Sequence, residues 1–249
     1  MRPLLRWCVL AAFATLALQL FFIGRIAMMA AVAPESTAFE RSEAWRLLTS
    51  PDSPGLRWRQ QWVPYTQISD NLKRAVIASE DGSFVNHDGV DWEALEKAWQ
   101  KNEKAQERAV KQAAPAKAKT LAPVRAPKII GGSTITQQLA KNLLLSGERT
   151  LLRKGQEFVL TMALELLLDK QRILEIYLNN VEWGEGVFGA EAAAQHYFRK
   201  PAARLSAFEA ARLAVMLPRP KYFEKLPNSG YLSSRAGTIV ARMPSVELP

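Results

Sequence analysis

The amino-acid sequence predicts a mainly α-helical domain that follows one N-terminal transmembrane helix. Three observations predict this fold class. An apolar run opens the chain, most later segments place apolar residues at helical spacing, and only one short stretch alternates with the period of a strand. The chain has 249 residues, of which 48% are hydrophobic, and this suffices for one sizeable core.

The N-terminal run extends from Trp7 to Gly24 and contains only two polar residues. Its length approaches the ~20 residues of a membrane-spanning helix, and Arg2 and Arg6 before it favour a cytoplasmic N-terminus. A cleaved signal peptide is the alternative, because Ala31-Val32-Ala33 resembles a cleavage site. The run is longer than the usual ~7–15-residue apolar region of a signal peptide. We therefore expect residues 1–33 to hold the cytoplasmic N-terminus and a membrane anchor.

Residues 34–64 are expected to form a juxtamembrane segment at the lipid headgroups, because this stretch is polar and contains prolines and Trp45. Within it, Leu56, Trp58 and Trp62 alternate at period 2 and predict a short strand that ends at Pro64. The remaining residues, 65–249, are predicted to form the globular domain.

Apolar residues at helical spacing predict five helices in this domain. They are marked by Leu72, Val76 and Ile77 before Glu80; by Ile135, Leu139 and Leu143; by the run from Leu151 to Leu168; by Ile173, Leu174, Tyr177 and Leu178; and by a capping box at Ser206–Glu209 whose helix stops at Pro218. Within the run from Leu151 to Leu168, the part from Phe158 to Leu168 is apolar nearly all round, interrupted only by Thr161 and Glu165, and such a helix is expected to be buried.

Residues 101–128 differ from the rest of the domain. They contain eight basic and two acidic residues, which supply +6 of the net charge of +9. Because they offer few apolar side chains to offset the entropy of ordering, we predict a mobile loop. The charge itself favours an anionic partner, namely nucleic acid, an anionic bilayer or a phosphorylated substrate.

The sequence gives little indication of a metal site or of disulfide bonds. The single cysteine, Cys8, lies in the apolar run and excludes a disulfide framework. His87 has only His196 as a companion histidine, so we interpret it as a structural, hydrogen-bonding residue and predict no metal ligands in the protein.

A first cluster of ionisable residues begins at Glu80 and Asp81 and continues to Asp91. Glu80 lies where the preceding helix is predicted to end. A carboxylate there faces the negative end of the helix dipole, which raises its pKa and makes it suitable as a general base. An ordinary acidic turn is the alternative interpretation.

A second cluster follows Gly131-Gly132-Ser133. Thr134 and Gln137 have the spacing of a capping box, so a helix N-terminus suited to an anion is predicted there. Gln138 and Lys141 continue the polar stripe along this helix. A normal solvated helix face is the alternative interpretation.

A third cluster comprises Arg149, Arg153 and Glu157. Arg153 and Glu157 are spaced i, i+4, so a structural ion pair is an alternative to a role in binding, and for Glu165 the structural interpretation is preferred. One carboxylate plus cations suits glycosyl transfer from a sugar pyrophosphate, because the acceptor hydroxyl needs a base and the leaving group needs positive charge. Hydrolysis of a glycoside would usually require a second carboxylate.

With these residues in view, the chain resembles the family 51 glycosyltransferases, the peptidoglycan polymerases that also form the N-terminal domain of class A penicillin-binding proteins. The resemblance rests on five ordered blocks between residues 70 and 220. They are Glu80-Asp81-x-x-Phe84-x-x-His87-x-Gly89-x-Asp91; Gly131-Gly-Ser-Thr-Ile-Thr-Gln-Gln138 with Lys141-Asn142; Arg153-Lys154-x-x-Glu157; Arg172-Ile-Leu-Glu-Ile-Tyr177-Leu-Asn179; and Gly189-Ala-Glu-Ala-Ala-Ala with Tyr197-Phe198 and Leu217-Pro218.

The resemblance implies a lysozyme-like bilobal domain whose cleft opens at the bilayer. It implies that Glu80 is the general base, Asp81 a residue that positions it, and Glu157 a second essential carboxylate. The implied substrate-binding residues are Ser133, Thr134, Gln137, Gln138, Lys141, Arg149 and Arg153. Because no transpeptidase domain follows Pro249, the monofunctional biosynthetic form is expected.

The implied reaction polymerises lipid II into β-1,4-linked glycan with inversion at C1 and release of undecaprenyl diphosphate. Its expected partners are lipid II, the growing lipid-linked strand, membrane lipids and other cell-wall synthesis or division proteins, with no nucleic acid. No organic cofactor is expected, although Mg²⁺ or Mn²⁺ could enter through the substrate pyrophosphate. A single-pass protein of the bacterial inner membrane with a periplasmic domain is expected. A lytic enzyme using Glu80 as an acid and a noncatalytic wall-binding protein are the rival hypotheses.

Overall fold

The computed structural model describes residues 2–50, 57–116, 132–145 and 150–249. These parts of the chain contain eleven α-helices and three short strands. In chain order they are α1 (Arg2–Met29), α2 (Ala38–Thr49), β1 (Arg59–Gln60), α3 (Asp70–Glu80), α4 (Trp92–Ala116), α5 (Ile135–Leu144), α6 (Leu151–Leu167), α7 (Lys170–Asn180), β2 (Glu182–Gly184), β3 (Val187–Phe188), α8 (Ala190–Phe198), α9 (Ala207–Met216), α10 (Pro220–Glu224) and α11 (Gly230–Arg242). The mainly α-helical fold class is confirmed.

The core forms where the predicted apolar faces meet. Helix α3 packs against α9 and α11, and α5 packs against α6 and α7. The side chains of Ile135, Leu139 and Leu143 are fully buried, as their spacing of four residues predicts. The C-terminus of α3 and the N-terminus of α5 are neighbours in this core, because the backbone N–H of Ile135 donates to the Asp81 carboxylate.

A small three-stranded sheet has the order β1-β3-β2. Strand β1 pairs parallel with β3, and β2 pairs antiparallel with β3. The predicted strand around Trp58 therefore exists, but only as the two residues Arg59 and Gln60, and Leu56 lies outside the described residues.

Helix α2 corrects the prediction of a separate juxtamembrane segment. Thr37 accepts a hydrogen bond from the backbone N–H of Glu40, and the Glu40 carboxylate accepts one from the backbone N–H of Thr37. This capping box begins α2, which packs against α5. The globular domain thus includes residues that the sequence interpretation assigned to the headgroup region.

Helix α4 corrects the prediction of a mobile loop for the part of residues 101–128 that the structure describes. The helix continues to Ala116, because Ala, Lys, Gln and Glu are strong helix formers even where few apolar residues are buried. The Glu96 carboxylate accepts a hydrogen bond from Gln100 one turn later. Residues 117–128 lie outside the described residues.

Helix α6 corrects the prediction that its apolar run is buried. Leu160 and Leu164 face the core, but Phe158 and Val159 are more than two-fifths exposed and Leu166 is 84% exposed. Leu151 and Leu152, at the start of the helix, are exposed as well. Helix α6 also packs along α1, the one described helix that is long and apolar enough to cross a membrane.

Candidate active site

Glu80 is the last residue of α3 and is hydrogen-bonded to Gln138 of α5, which lines a cleft. The Gln138 side-chain N–H donates to Glu80 Oε2 at 3.1 Å, and the Ser79 hydroxyl donates to Oε1 at 3.3 Å. Tyr177 in turn donates its hydroxyl to Gln138 Oε1 at 3.0 Å, which turns the amide N–H toward Glu80.

The pKa of Glu80 is raised above its ordinary value. Burial is the largest cause, the hydrogen bonds from Gln138 and Ser79 oppose it, and the negative charge of Asp81 raises the pKa further. The direction agrees with the sequence-based expectation, which had invoked the helix dipole. A carboxylate with a raised pKa accepts a proton more readily, as a general base requires.

Asp81 joins the end of α3 to the start of α5. Its Oδ1 contacts His87 Nε2 at 2.9 Å, and its Oδ2 accepts the backbone N–H of Ile135 at 2.9 Å. The side chain is almost fully buried. Asp81 therefore holds the two elements that carry Glu80 and Gln138 together, and His87 is the hydrogen-bonding residue that the sequence suggests.

The N-terminus of α5 is built as its sequence predicts. Thr134 accepts the backbone N–H of Gln137, and the Gln137 side chain accepts the backbone N–H of Thr134. The Thr134 hydroxyl also donates to the Gly89 carbonyl at 2.6 Å, so this buried side chain braces the loop. Thr134 is thus engaged structurally, whereas Gln137 lines the cleft.

Beyond Gln138, the cleft has a volume of about 490 Å³. It is lined by Phe39, Ser42, Ser133, Gln137, Gln138, Lys141, Asn142, Leu145, Arg153, Lys154, Glu157, Val181, Glu182, Leu217 and Pro220. The structure therefore brings together six of the predicted site residues, Ser133, Gln137, Gln138, Lys141, Arg153 and Glu157. Arg149 and Gly131 lie outside the described residues.

Glu157 is almost fully buried and lies between two cations. Arg153 donates to Glu157 Oε2 at 3.0 Å, and Lys154 donates to its other oxygen. The i, i+4 ion pair weighed from the sequence is present. Both cations also line the cleft, so an ion pair and a role in binding an anion are compatible.

Glu80 itself lines a second cavity of about 390 Å³. Lys97, Lys101 and Arg242 also line it, and Ser133 lines both cavities. The two cavities therefore adjoin at Ser133, and Gln138, which binds Glu80, lines the cleft that carries Arg153 and Lys154.

One cluster in the described residues has the composition of a metal site. Asp81, His87 and Asp91 place ligand atoms within 4.8 Å of one another. Asp81 is already engaged by His87 and by the backbone of α5, and Asp91 accepts the backbone N–H of Ala94 at 2.7 Å, at the start of α4. These contacts explain the cluster as a structural brace around the loop that follows Glu80.

Sequence reasoning did not single out Phe39, Ser42, Glu182 or Lys221. The first three line the cleft, and Lys221 pairs with Glu182. Their positions depend on how α2, β2 and α10 pack together, and no motif in the sequence indicates this packing.

The mainly helical fold and the partly buried carboxyl group of Glu80 beside a cationic cleft fit a glycosyltransferase. A sequence model of the transglycosylase family matches residues 52–244. A biosynthetic peptidoglycan transglycosylase of Burkholderia orbicola (strain MC0-3) is 52% identical over 250 residues, which cover 99% of this chain and 93% of that protein.

Two further relatives with the same description agree. The protein of Burkholderia thailandensis is 52% identical, with 100% of this chain and 90% of that protein covered. The protein of Burkholderia vietnamiensis (strain G4 / LMG 22486) is 50% identical, with 99% of this chain and 93% of that protein covered. The chain belongs to the transglycosylase family.

Proposed function

We propose that this enzyme is a peptidoglycan glycosyltransferase that polymerises lipid II into β-1,4-linked glycan strands. The position of Glu80 carries the proposal, because Glu80 lines one cavity and binds Gln138, which lines the cationic cleft. Glu80 takes the proton from the 4-hydroxyl of the acceptor sugar, and the freed oxygen forms a bond to C1 of the donor. The bond from C1 to the pyrophosphate breaks on the opposite face, so the configuration inverts and undecaprenyl diphosphate leaves with the electron pair.

The cations of the 490 Å³ cleft are suited to the leaving group. A pyrophosphate is a weak base and needs positive charge rather than a proton donor. Lys141, Arg153 and Lys154 line this cleft and would hold it, with Arg149 as a further candidate from the sequence. In this proposal Glu157 keeps Arg153 and Lys154 in place, and Ser133, Gln137 and Gln138 contact the donor sugar.

Mg²⁺ or Mn²⁺ is proposed to enter with the substrate pyrophosphate and to neutralise part of its charge. Glu157 is the carboxylate closest in sequence to the cations of the cleft, and it is already paired with Arg153 and Lys154. This pairing disfavours a resident ion held by the protein alone.

Helices α1 and α6 support the proposed membrane location. Helix α1 is compatible with a single-pass anchor, and the two arginines near its start favour a cytoplasmic N-terminus. The exposed leucines of α6 would lie in the same bilayer, beside the cationic residues of that helix. In this arrangement the cationic residues would lie near the membrane surface, where the pyrophosphate of a lipid-linked substrate is located. The membrane is proposed to be the inner membrane, with the domain in the periplasm.

The decisive experiment uses detergent-solubilised protein and labelled lipid II. Wild-type protein should form polymer that muramidase digests, whereas Glu80→Gln should lose at least about 100-fold in rate, the usual contribution of a general base. Asp88→Asn is the matched control, because Asp88 is an exposed carboxylate in the same loop and lines neither cavity beside Glu80. Repeating the assay with EDTA and then added Mg²⁺ tests the cation.

The lytic hypothesis predicts the opposite result. In that case wild-type protein would shorten preformed glycan and make no polymer, and Glu80 would act as an acid. A folded Glu80→Gln protein that polymerises at the wild-type rate would remove Glu80 from its proposed role. Folding of each variant is checked by thermal unfolding.

A further inference from the structure

A polar contact joins the apolar helix α1 to the helix that carries two of the cleft cations. Gln19 of α1 donates its side-chain N–H to Gln156 Oε1 at 2.8 Å, and Gln156 of α6 donates its own to Gln19 Oε1 at 3.0 Å. Both side chains are partly buried, whereas Leu18 and Leu20, on either side of Gln19, are exposed. The two amides thus form one reciprocal pair in which each side chain uses a donor and an acceptor.

The surroundings of this pair are apolar. Gln19 lies within the run from Trp7 to Gly24, whose only other polar residue is Thr15, and α1 is long and apolar enough to cross a membrane. On the other helix, Leu152 precedes Gln156 by one turn and is 87% exposed. A single amide in such surroundings would lose its hydrogen bonds with water, so each glutamine satisfies the other and favours this contact over any other arrangement of the two helices.

The pair determines which level of α1 the start of α6 occupies. Met29 lies ten residues after Gln19, and its carbonyl accepts a hydrogen bond from Arg172 of α7, the helix that follows α6. Helices α1 and α6 therefore run in the same direction. At 1.5 Å per residue, Gln19 lies ~15 Å along α1 from the end that is buried in the domain. The first turns of α6 thus lie beside the apolar run of α1 and not beyond its end.

The cations proposed to hold the pyrophosphate belong to the same part of α6 as Gln156. Arg153 and Lys154 precede Gln156 by three and two residues, and Glu157, which pairs with both cations, follows it directly. A sideways hydrogen bond at Gln156 therefore restricts the position and the rotation of this turn relative to α1. The pyrophosphate of a lipid-linked substrate is confined to one level of the bilayer by its chain, so the level of the cations decides whether they meet it.

We propose that the Gln19–Gln156 pair is a positioning contact that holds Arg153 and Lys154 at the level of the substrate pyrophosphate. This inference rests on the proposed function, because it takes the ligand to be a lipid-linked pyrophosphate. Neither glutamine lines the cleft, so the pair acts through the two cations. Both cations remain when the pair is broken, and the cost of ordering α6 is then met by the binding energy of the substrate.

The test measures KM and kcat for lipid II in proteoliposomes, with Gln19→Leu, Gln156→Leu and the double variant. Each single replacement removes both hydrogen bonds at similar volume and leaves the other amide unpaired. We expect the KM of each single variant to rise ~3- to 10-fold, the range for hydrogen bonds between helices in a membrane, and kcat to change less than ~2-fold. The KM of the double variant should rise no further, because the two residues act as one pair.

Thr15→Val is the matched control. Thr15 is the other polar residue of the apolar run and lies one turn before Gln19, but its hydroxyl donates to a carbonyl of its own helix. The KM and kcat of this variant should equal those of the wild type. Thermal unfolding in the same lipid verifies that every variant is folded.

The outcomes separate positioning from stability alone. An unchanged KM in folded Gln19→Leu protein, even with a lower thermal midpoint, would overturn the positioning role and leave the pair as a contact that only stabilises the fold. Rises in KM that multiply in the double variant would overturn it as well, because the glutamines would then act separately. A wild-type protein that makes no polymer would instead reject the proposed function, so the two failures are distinguishable.

Discussion

Gln138 connects Glu80, the proposed general base, to the core of the domain. It donates to Glu80, and it accepts from the buried Tyr177, whose hydroxyl fixes which end of the amide faces the carboxylate. The bond from Gln138 favours the ionised form of Glu80 and so opposes the rise in pKa that burial causes. A residue that touches both the cleft and the core therefore lowers the pKa of Glu80 from the value that burial alone would give.

Replacing Gln138 by Leu should move the acidic limb of the pH–rate profile. Glu80 acts only when ionised, so kcat/KM falls as the pH drops through its pKa. Without the donor at Gln138 the pKa rises further, and the limb should shift to higher pH. The measurement is kcat/KM for lipid II across the pH range in which the protein stays folded.

Tyr177→Phe separates this effect from direct substrate binding. It removes the bond that orients Gln138 but leaves the amide present, so a smaller shift in the same direction is expected. If Gln138→Leu lowered the rate equally at every pH, Gln138 would bind substrate without tuning Glu80.

At the scale of elements, the loop between α3 and α4 packs tightly against α6. Gly89 has φ of +82°, and a Cβ there would lie 2.7 Å from Thr161 Cγ2 and 2.9 Å from Glu165 Cγ. Lys170 binds both the Glu165 carboxylate and the His87 carbonyl, at 2.8 and 2.6 Å. The loop that carries His87 is thus packed so tightly against α6 that no further atom fits between them at Gly89.

Gly89→Ala should therefore destabilise the protein by about 2–4 kcal/mol, because strain from a positive φ adds to the overlap with α6. It should also reduce activity, since the Gly89 carbonyl accepts the hydroxyl of Thr134 at the start of α5. Chemical denaturation in detergent measures the free energy of unfolding. Gly237→Ala in α11 is the control, because its Cβ would meet no atom within 4 Å and a helix interior favours Ala. Equal stability of the two variants would show that the loop shifts freely.

The sequence predicted elements well where one local pattern decides the structure. The buried spacing of Ile135, Leu139 and Leu143 and the capping box at Thr134 are both observed. The sequence-based prediction failed where the environment of an element decides its structure. A helix needs no apolar face to form if its residues have high helix propensity, as in α4, and an apolar helix need not be buried in protein, as in α6.

At the scale of the whole molecule, the same distinction explains which residues of the candidate site could be predicted from the sequence. Glu80 and Lys141 lie in segments whose local motifs are informative. The cleft residue Glu182 pairs with Lys221, which also pairs with Glu43, and both are far from Glu182 in the sequence. Without the fold, the distance between such residues is unknown, so their joint charge could not be predicted.

The membrane anchor and the globular domain are also joined in a way that the sequence boundary at residue 33 did not predict. Ile26 and Met29, in the last turns of α1, are buried in the core, and Arg172 donates to the Met29 carbonyl at 2.7 Å. Further along α1, the side-chain amides of Gln19 and Gln156 exchange two hydrogen bonds, at 2.8 and 3.0 Å. The end of α1 is thus structurally a part of the domain.

Two truncations should therefore differ sharply. Deleting residues 2–18 removes mostly exposed apolar surface and should leave the thermal midpoint in detergent near that of the full chain. Deleting residues 2–29 also removes Ile26 and Met29 and leaves a cavity, which should lower the free energy of unfolding by at least about 3 kcal/mol. Thermal unfolding of both proteins in the same detergent is the measurement. Equal midpoints would mean that the end of α1 adds nothing to the stability of the domain, whereas the expected difference means that it helps to hold the folded domain together.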